Sequence, residues 1–464
     1  MAIVIAGIKN VTIVALVVSA CYLAGQLWFE RIASNRNFFY TVAEAVVSFG
    51  VRAQVSEPRL VEPLRIVKMF GNMAYRVEYD IRDSRALELS VTAVEAAMRH
   101  GRHTHSTYAD WQHLLSGEGL MLEYALSMPV DILNGVWGIS NGDVLNEVDV
   151  FNRIIVLPRL AAGEGLGIVF IDGRGVDETA HFFEVDDSPM GESVRTGIRQ
   201  ELSSMLGQAS SILYSASSDT GIFLGNTFIP SFSADSLSYT PLHIASPYAN
   251  HNGDILIGSL FTKLAPLFET PAAVSRRVTP GEFIFSDENT VVRFSQGNLM
   301  EFTNYRSSRY RHAVSISESL AIALDFIETD QQLHNRIYLS AILEEDGDFT
   351  FLFGHVAEGF PVIVPQALLE SLQLRAPVEV TVRSGVVTNY RKWAVGFEPV
   401  GAAVQVATTG FWEAYDRVLE GQGLSLEEAA WLHRAALAFY ANPYEPIGLV
   451  WQLHIGPARF IVRD

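Results

Sequence analysis

Apolar and polar positions follow two different periods along the chain, and the mixture predicts both strands and helices. Residues 73–80 alternate as a half-buried strand does, whereas residues 87–99 repeat their apolar positions as an amphipathic helix does. Residues 167–171 and 176–183 flank the turn sequence DGRG and predict a β-hairpin. A second amphipathic helix is predicted over residues 194–206. The first half of the chain is therefore predicted to be α+β.

The second half of the chain shows a similar order of elements twice. In the first occurrence Ser315 and Glu318 form a capping box that opens a helix, and short strands are predicted around it at residues 281–285, 290–294, 299–303, 336–343 and 349–355. In the second, Ser425 and Glu428 form the box, and strands are predicted at residues 378–383, 386–393, 448–454 and 458–462. Two β-β-α-β-β units in tandem predict antiparallel sheets, each covered by a helix.

A long uncharged segment near the N-terminus predicts a membrane anchor. Residues 11–29 contain no charged side chain, and a helix of that length spans about 28 Å, close to the hydrocarbon core of a bilayer. Two alternatives stay open. A cleaved signal peptide would need a basic start and a shorter apolar run, and the sequence VSAC at residues 18–21 matches a lipobox in which Cys21 would be acylated. The apolar run continues to Phe29, which favours an intact transmembrane helix.

One face of this predicted helix carries small and hydrogen-bonding residues. They recur at spacings of three and four, and they are Thr12, Ala15, Ser19, Tyr22 and Gln26. Membrane helices use such residues to pack together, because lipid removes the hydrophobic drive for their association. This anchor seam is a candidate interface with the membrane helix of a partner; the alternative is a chance pattern in a short Val- and Ala-rich segment.

The domain boundaries are predicted from composition. A stretch rich in Pro, Ser and Asn at residues 226–253 marks the main boundary within the folded part. The predicted parts are an N-terminal membrane anchor at 1–36, an N-terminal α+β domain at 37–256, a central β-β-α-β-β domain at 257–376 and a C-terminal β-β-α-β-β domain at 377–464.

Charge and cysteine content restrict the classes of function. The 464 residues carry a formal net charge of −19, which repels phosphate backbones, so no nucleic-acid partner is expected. Cys21 is the only cysteine and lies in the predicted anchor. The folded part therefore has no disulfide, no cysteine-based zinc site and no thiol nucleophile.

No motif in the chain predicts a catalytic centre or a cofactor. None of the four lysines lies in a P-loop sequence, and HExxH is missing. Residues 138–142 match G-x-S-x-G, but a turn rather than a helix is predicted after Ser140, which disfavours a nucleophile elbow. His100, His103 and His105 could ligate zinc, although their alternating spacing beside arginines favours a solvated turn. The acidic residues of the turn at 344–348 are likewise predicted to be solvated.

Several segments together resemble the YycH family of bacterial accessory proteins. The sequence GQLW at the end of the anchor resembles the membrane helix of that family. In the last 200 residues the resemblance rests on the sequences LFETPAAVSRR, FSDENTVVRFSQGNLMEF, ESLAIALDFIE, EGFPV, VRSGVVTNYRKW and PIGLVW. Residues 37–256 contribute little to it. None of these motifs is catalytic.

The resemblance implies a specific function and place in the cell. The chain is expected to be a non-enzymatic, membrane-anchored regulator of the sensor histidine kinase of a cell-wall two-component system, acting with a YycI-like partner protein and without a cofactor. Its N-terminus is expected in the cytoplasm and its folded body outside the cell membrane. The alternative from the residues is a membrane-anchored protein that binds or modifies a cell-wall polymer.

Overall fold

The computed structural model describes residues 61–463 of the chain. The described residues exclude the following positions within that range: 72–73, 82–83, 134–141, 160–164, 174–177, 187–188, 206–212, 218–226, 232–237, 250–253, 296, 306–313, 334, 406–409, 426–427, 429, 444–446 and 457. The chain divides into two units between Arg59 and Leu60, and the described residues all belong to the second. Among their helices, none has the length and apolar composition that a membrane crossing requires. The predicted anchor over residues 11–29 lies outside the described residues.

The described part is an α+β fold in which strands predominate. The strands are β1 Arg65–Phe70, β2 Tyr75–Glu78, β3 Arg102–Tyr108, β4 Glu118–Pro129, β5 Val150–Leu157, β6 Leu166–Asp172, β7 Thr179–Val185, β8 Leu213–Ala216, β9 Phe228–Ser231, β10 Ser238–Tyr239, β11 Leu242–Ala245, β12 Ser275–Thr279, β13 Glu282–Ser286, β14 Thr290–Ser295, β15 Leu299–Asn304, β16 Arg336–Glu345, β17 Asp348–Ala357, β18 Phe360–Ile363, β19 Val378–Arg383, β20 Val386–Trp393, β21 Gly396–Pro399, β22 Val404–Gln405, β23 Leu432–Tyr440, β24 Leu449–Ile455 and β25 Ala458–Val462. The helices are α1 Arg85–His100, α2 Trp111–Leu115, α3 Asp143–Glu147, α4 Pro189–Met205, α5 Ile257–Leu264, α6 Ile316–Thr329, α7 Gln366–Ser371 and α8 Phe411–Gln422.

The first nine strands form one antiparallel sheet in the order β3-β7-β6-β5-β4-β1-β2-β8-β9. The predicted hairpin of β6 and β7 is confirmed. Strand β6 lies inside the sheet and is buried on both faces, which explains its continuous apolar sequence LGIVFI. Ile168 and Phe170 enter one core, while Val169 and Ile171 enter another on the opposite face. Strand β3 ends the sheet, and within the described part of the chain β7 is its one strand neighbour.

Helices α1 and α4 cover the face of the sheet that carries Phe170, as the period of their apolar residues predicts. Val94 of α1 and Ile198 of α4 are fully buried in the same core. The two helices contact each other where α4 carries Gly197. A Cβ atom at that position would lie 2.5 Å from Leu89 Cδ2, so glycine permits the close approach of the helices. Both predicted helices are confirmed.

The remaining large sheet has twelve strands and differs from the predicted pair of separate sheets. Its order is β12-β13-β14-β15-β20-β19-β17-β18-β23-β24-β25, with β16 paired to β17. Strands predicted in the central and C-terminal domains pair directly, since Phe302 of β15 lies opposite Tyr390 of β20. One neighbouring pair, β18 with β23, is parallel. The sequence could not reveal these long-range pairings, and the domain boundaries at residues 37, 257 and 377 stay predictions.

Helix α6 begins at the predicted capping box. The Ser315 hydroxyl accepts the Glu318 N–H at 3.2 Å, and the Glu318 carboxylate accepts the Ser315 N–H at 3.1 Å. These two bonds satisfy backbone donors that a helix start leaves without partners. The helix then buries Leu320, Ala323 and Ile327 against the twelve-stranded sheet.

The region after the second capping box differs from the prediction. Ser425 and Glu428 do exchange the capping hydrogen bonds, at 2.9 and 3.2 Å. However, strand β23 begins at Leu432. The sequence instead predicts that a helix opens at this capping box and that the next strand begins at residue 448. Its sequence LHRAALAFY is rich in helix-forming Ala and Leu. Pairing with β24 and burial of Leu437 and Phe439 in the core override that local preference.

Arg336 joins the two large sheets. It starts β16, its side chain is 1% exposed, and it donates to backbone oxygens beside β1 and β2. The acceptors are Leu64 O at 3.2 Å, Tyr79 O at 2.6 Å and Pro63 O, and the guanidinium also pairs with Glu62 at 3.0 Å. A single planar cation thus ties the nine-stranded sheet to the start of β16.

Candidate functional site: a groove beside the edge strand

An open groove of about 590 Å³ lies beside β3, the edge strand of the nine-stranded sheet. Its walls come from β3, from α2 and the turn after it, from the end of β5 and from the middle of β7. A second cavity of about 410 Å³ adjoins it between the end of β1 and the exposed side of α4. Both cavities are lined by Glu118 and Arg199, so they form one elongated groove, called the β3 groove below.

Strand β3 has the polar sequence RHTHSTY and is exposed along its length except for the half-buried His103. A β-bulge at Thr104 lets His103 lie opposite Phe183 and His105 opposite Phe182, on opposite faces of the sheet. The Thr104 hydroxyl donates to Phe182 O at 3.0 Å. The His105 ring stacks on Phe182 with centroids 4.4 Å apart and an angle of 9°. These contacts fix which β3 side chains face the groove.

Helix α2 is held at the groove by a hydrogen-bond network behind it. The Asp110 carboxylate caps the helix by accepting the His113 N–H at 3.1 Å. The Trp111 indole donates to Glu178, and the other Glu178 oxygen accepts from Arg153 Nη1 at 2.6 Å. The Arg153 guanidinium also lies 5.0 Å from the centroid of the Trp111 ring. These contacts hold Trp111 of α2 against Arg153 of β5 and thereby preorganise this wall of the groove.

The polar lining of the groove includes two cations that have no carboxylate partner among the described residues. Arg159 follows the end of β5 and Arg199 lies on α4; both are exposed. Neither arginine forms an ion pair with any residue in the described ranges. Glu118 and Asp110 are the acids in the lining, and Asp110 is already engaged as the cap of α2. Tyr108, 73% exposed, adds an aromatic surface at the end of β3.

The opposite face of β3 carries a cluster of titratable groups. The Ser106 hydroxyl lies 3.0 Å from His103 Nε2 and 2.9 Å from His181 Nδ1. Glu147 of α3 places a carboxylate oxygen 3.7 Å from His103 Nδ1. Burial, together with the neighbouring His103, lowers the pKa of His181 and so favours its neutral imidazole. A hydroxyl between two imidazoles can exchange its proton with either ring.

The structure does not bring together His100, His103 and His105, which the sequence offers as alternative zinc ligands. His100 ends α1, whereas His103 and His105 point to opposite faces of β3. Within the described residues, no group of three His, Cys, Asp or Glu side chains is arranged to hold a metal ion. The solvated-turn interpretation is wrong as well, because residues 102–108 form a strand. Apolar and polar residues do not alternate along an edge strand that has no buried face. The sequence of residues 102–108 therefore lacks the period-two pattern that predicts a strand.

The other sequence-predicted residues either lie outside the described residues or belong to the turn between β16 and β17. The anchor seam of Thr12, Ala15, Ser19, Tyr22 and Gln26, and also Ser140, lie outside the described residues. The acidic turn at 344–348 joins β16 to β17, as predicted, and part of its charge is paired. Asp348 contacts Arg383, and Glu345 lies 3.6 Å from Arg375.

Buried carboxylates elsewhere serve the fold, and the sequence analysis missed them. Glu123 of β4 pairs with the buried Arg65 at 3.0 Å; burial alone would raise the pKa of Glu123, but Arg65 and two further arginines lower it below its ordinary value. Asp330 lies 2.5 Å from Lys392 Nζ and accepts from the Tyr390 hydroxyl at 2.7 Å. Each acid is matched to a cation on a neighbouring strand, which is the arrangement that lets charge be buried. Charged residues in an otherwise apolar strand, such as Arg65 and Lys68 in RIVKMF, are the available signal in the sequence.

Comparison with known proteins identifies no family for this chain. No protein-family profile and no curated protein matches it. Among solved structures, an uncharacterized protein from Eubacterium rectale ATCC 33656, determined at 1.45 Å resolution, is 11% identical in sequence. The match covers 51% of this chain and 86% of that protein with a TM-score of 0.30. A likeness of that degree carries no argument about fold or function.

Proposed function

We propose that this chain is a non-enzymatic, membrane-anchored regulator of the sensor histidine kinase of a cell-wall two-component system. One helix over residues 11–29 anchors it, with the N-terminus in the cytoplasm. The body lies outside the membrane and acts with a YycI-like partner. The resemblance of the anchor and of the last 200 residues to the YycH family supports this proposal.

The observation that best supports the proposal is the combination of an uncharged 11–29 segment with an edge strand and a groove that the described residues leave open. Edge strands and grooves are surfaces that proteins use to bind other polypeptides. The charged groups buried in the body are paired and serve its stability. The proposed activity therefore needs contacts with partner chains and no chemistry.

The anchor seam provides the test of this function. Replacing Ser19 and Gln26 together by Leu should remove up to two interhelical hydrogen bonds of about 0.6 kcal/mol each and obstruct close packing of helices. Kinase output, measured with a reporter of the two-component system, should move towards that of a strain without this protein. Membrane insertion should persist, because both changes raise hydrophobicity. The matched control replaces Ile13 and Val17, on another face, by Leu.

A stricter test exchanges the whole segment 11–29 for an unrelated membrane helix. Loss of regulation would support transmission through the anchor. Unchanged kinase output would show that the seam has no role in signalling. If deletion of the entire protein also left kinase output unchanged, the proposed function itself would be wrong.

A second candidate function is the binding or modification of a cell-wall polymer. The observation that favours it is the Ser106 hydroxyl between His103 and His181, with the Glu147 carboxylate behind His103. A serine within hydrogen-bond distance of a base is the arrangement of nucleophilic catalysis. Covalent labelling of Ser106 by a fluorophosphonate probe, abolished in His103→Gln and retained in Ser116→Ala, would support this function. Absence of labelling in the folded full-length protein would exclude nucleophilic catalysis by Ser106.

A further inference from the structure

We propose that the β3 groove binds an extended acidic polypeptide segment, which pairs with β3 as an additional edge strand. This inference deepens the proposed regulatory function, on which it rests, by naming the chemistry of a protein partner. It joins three independent observations on the described residues: a backbone edge that none of them covers, a groove beside it, and two arginines in that groove with which none of them forms an ion pair.

The open backbone edge is the first observation. Strand β3 offers seven residues, and β7 is its only neighbouring strand among the described residues. The N–H of His103 is occupied by the Asp143 carboxylate at 3.1 Å, so the start of β3 is capped while the strand continues to Tyr108. The outward N–H and C=O groups of an edge strand can pair with an incoming chain, and natural edges are usually covered or shortened to prevent it.

The position of the groove is the second observation. His105 and Thr107 line it, whereas Ser106 between them points to the other face and contacts His181. Side chains of a paired strand alternate in the same way. Every second side chain of a segment added to β3 would therefore lie on the groove side of the sheet. Backbone pairing would provide affinity and the groove would select side chains, as in known cases of strand addition.

The charge of the β3 groove indicates which side chains an added segment would place in it. Arg159 and Arg199 are exposed in the groove and have no carboxylate partner in the described part of the chain. The whole chain carries a net charge of −19, which disfavours any acidic ligand at long range. An acidic segment would thus bind only where Arg159 and Arg199 present a local positive charge in the groove.

The test measures binding of synthetic ten-residue probe peptides to the purified full-length protein in detergent by fluorescence anisotropy. The first probe alternates Glu with Thr, and the second alternates Lys with Thr. A third repeats the first with alternate backbone nitrogens methylated, which removes hydrogen-bond donors and leaves the charge intact. We expect the first probe to bind and the other two to bind at least about tenfold more weakly.

Charge-reversal variants locate the site. Arg159→Glu combined with Arg199→Glu should weaken binding of the acidic probe by about tenfold or more, because each attraction becomes a repulsion. Arg417→Glu, an exposed arginine on α8, is the matched control and should change the affinity by less than about twofold. A photoreactive group in the acidic probe should crosslink to residues 102–108.

Three results would overturn the inference. Equal binding of the methylated probe would exclude strand pairing. Competition by dextran sulfate as strong as by the peptide would show a general anion site. A dissociation constant above about 1 mM for the acidic probe would show that no such site exists. Peptide binding that persists while kinase output is independent of this protein would contradict the proposed function alone and leave the inference standing.

Discussion

Replacement of Arg336 by Met should lower the free energy of unfolding more than any exposed substitution. Methionine keeps much of the apolar stem but removes every donor, so the oxygens of Pro63, Leu64 and Tyr79 lose a charged partner. A buried polar group left unsatisfied costs about 1–3 kcal/mol. If one or two of these oxygens stay without a hydrogen-bond partner, the loss is about 1–6 kcal/mol, a range that includes the cost of breaking a buried ion pair, about 3–5 kcal/mol.

Equilibrium unfolding in urea, followed by both tryptophan fluorescence and circular dichroism, measures this loss. Arg336→Lys should recover part of the stability, because a single ammonium cannot reach all the acceptors of the guanidinium fork. Arg417→Met, which breaks an exposed pair with Glu413, is the control and should cost less than about 1 kcal/mol. A cost for Arg336→Met equal to that of the control would refute the role of Arg336 in joining the sheets.

Three further outcomes are expected. His355 is fully buried, its ring nitrogens have no hydrogen-bond partner among described residues, and burial with nearby Lys392 lowers its pKa to about 4. The neutral form of His355 therefore stabilises the fold fully above about pH 6.5. As the pH drops from there towards 4, the free energy of unfolding should fall by at most about 1.4 kcal/mol per pH unit. His355→Leu should flatten that dependence in unfolding experiments. Ser315→Ala should cost about 1 kcal/mol in the same assay, against almost nothing for the exposed Ser193→Ala. Intact-mass measurement of membrane-extracted protein should find residues 1–20 present and Cys21 unmodified, whereas a diacylglycerol adduct on Cys21 would establish lipid anchoring.

Local sequence determines the elements whose signals lie within a few neighbouring residues. The capping box at Ser315 and the hairpin of β6 and β7 were predicted because caps, turns and apolar periods depend on adjacent side chains. Helices α1 and α4 were predicted for the same reason. These elements also establish the α+β class, since both periods occur throughout the chain.

The groove residues were not predicted as a site. Arg159, Arg199 and His105 are separated by many residues in the chain, and no spacing motif connects them. Taken alone, the polar sequence of β3 favours a turn, because a strand at the edge of a sheet with two exposed faces does not alternate apolar and polar residues. Only the pairing of β3 with β7 places these side chains around one groove.

The tertiary structure also decided how the strands are joined. Strand β23 has a helix-forming sequence, but its pairing with β24 and β18 buries Leu437 and Phe439 and provides more stabilisation than a local helix would. Likewise β15 pairs with β20, about ninety residues away, and merges two predicted sheets into one. The sequence by itself determined the α+β class, the uncharged 11–29 segment and the local elements. Strand order, the buried charge pairs and the groove depend on contacts between distant residues, whose free energies only the folded chain combines.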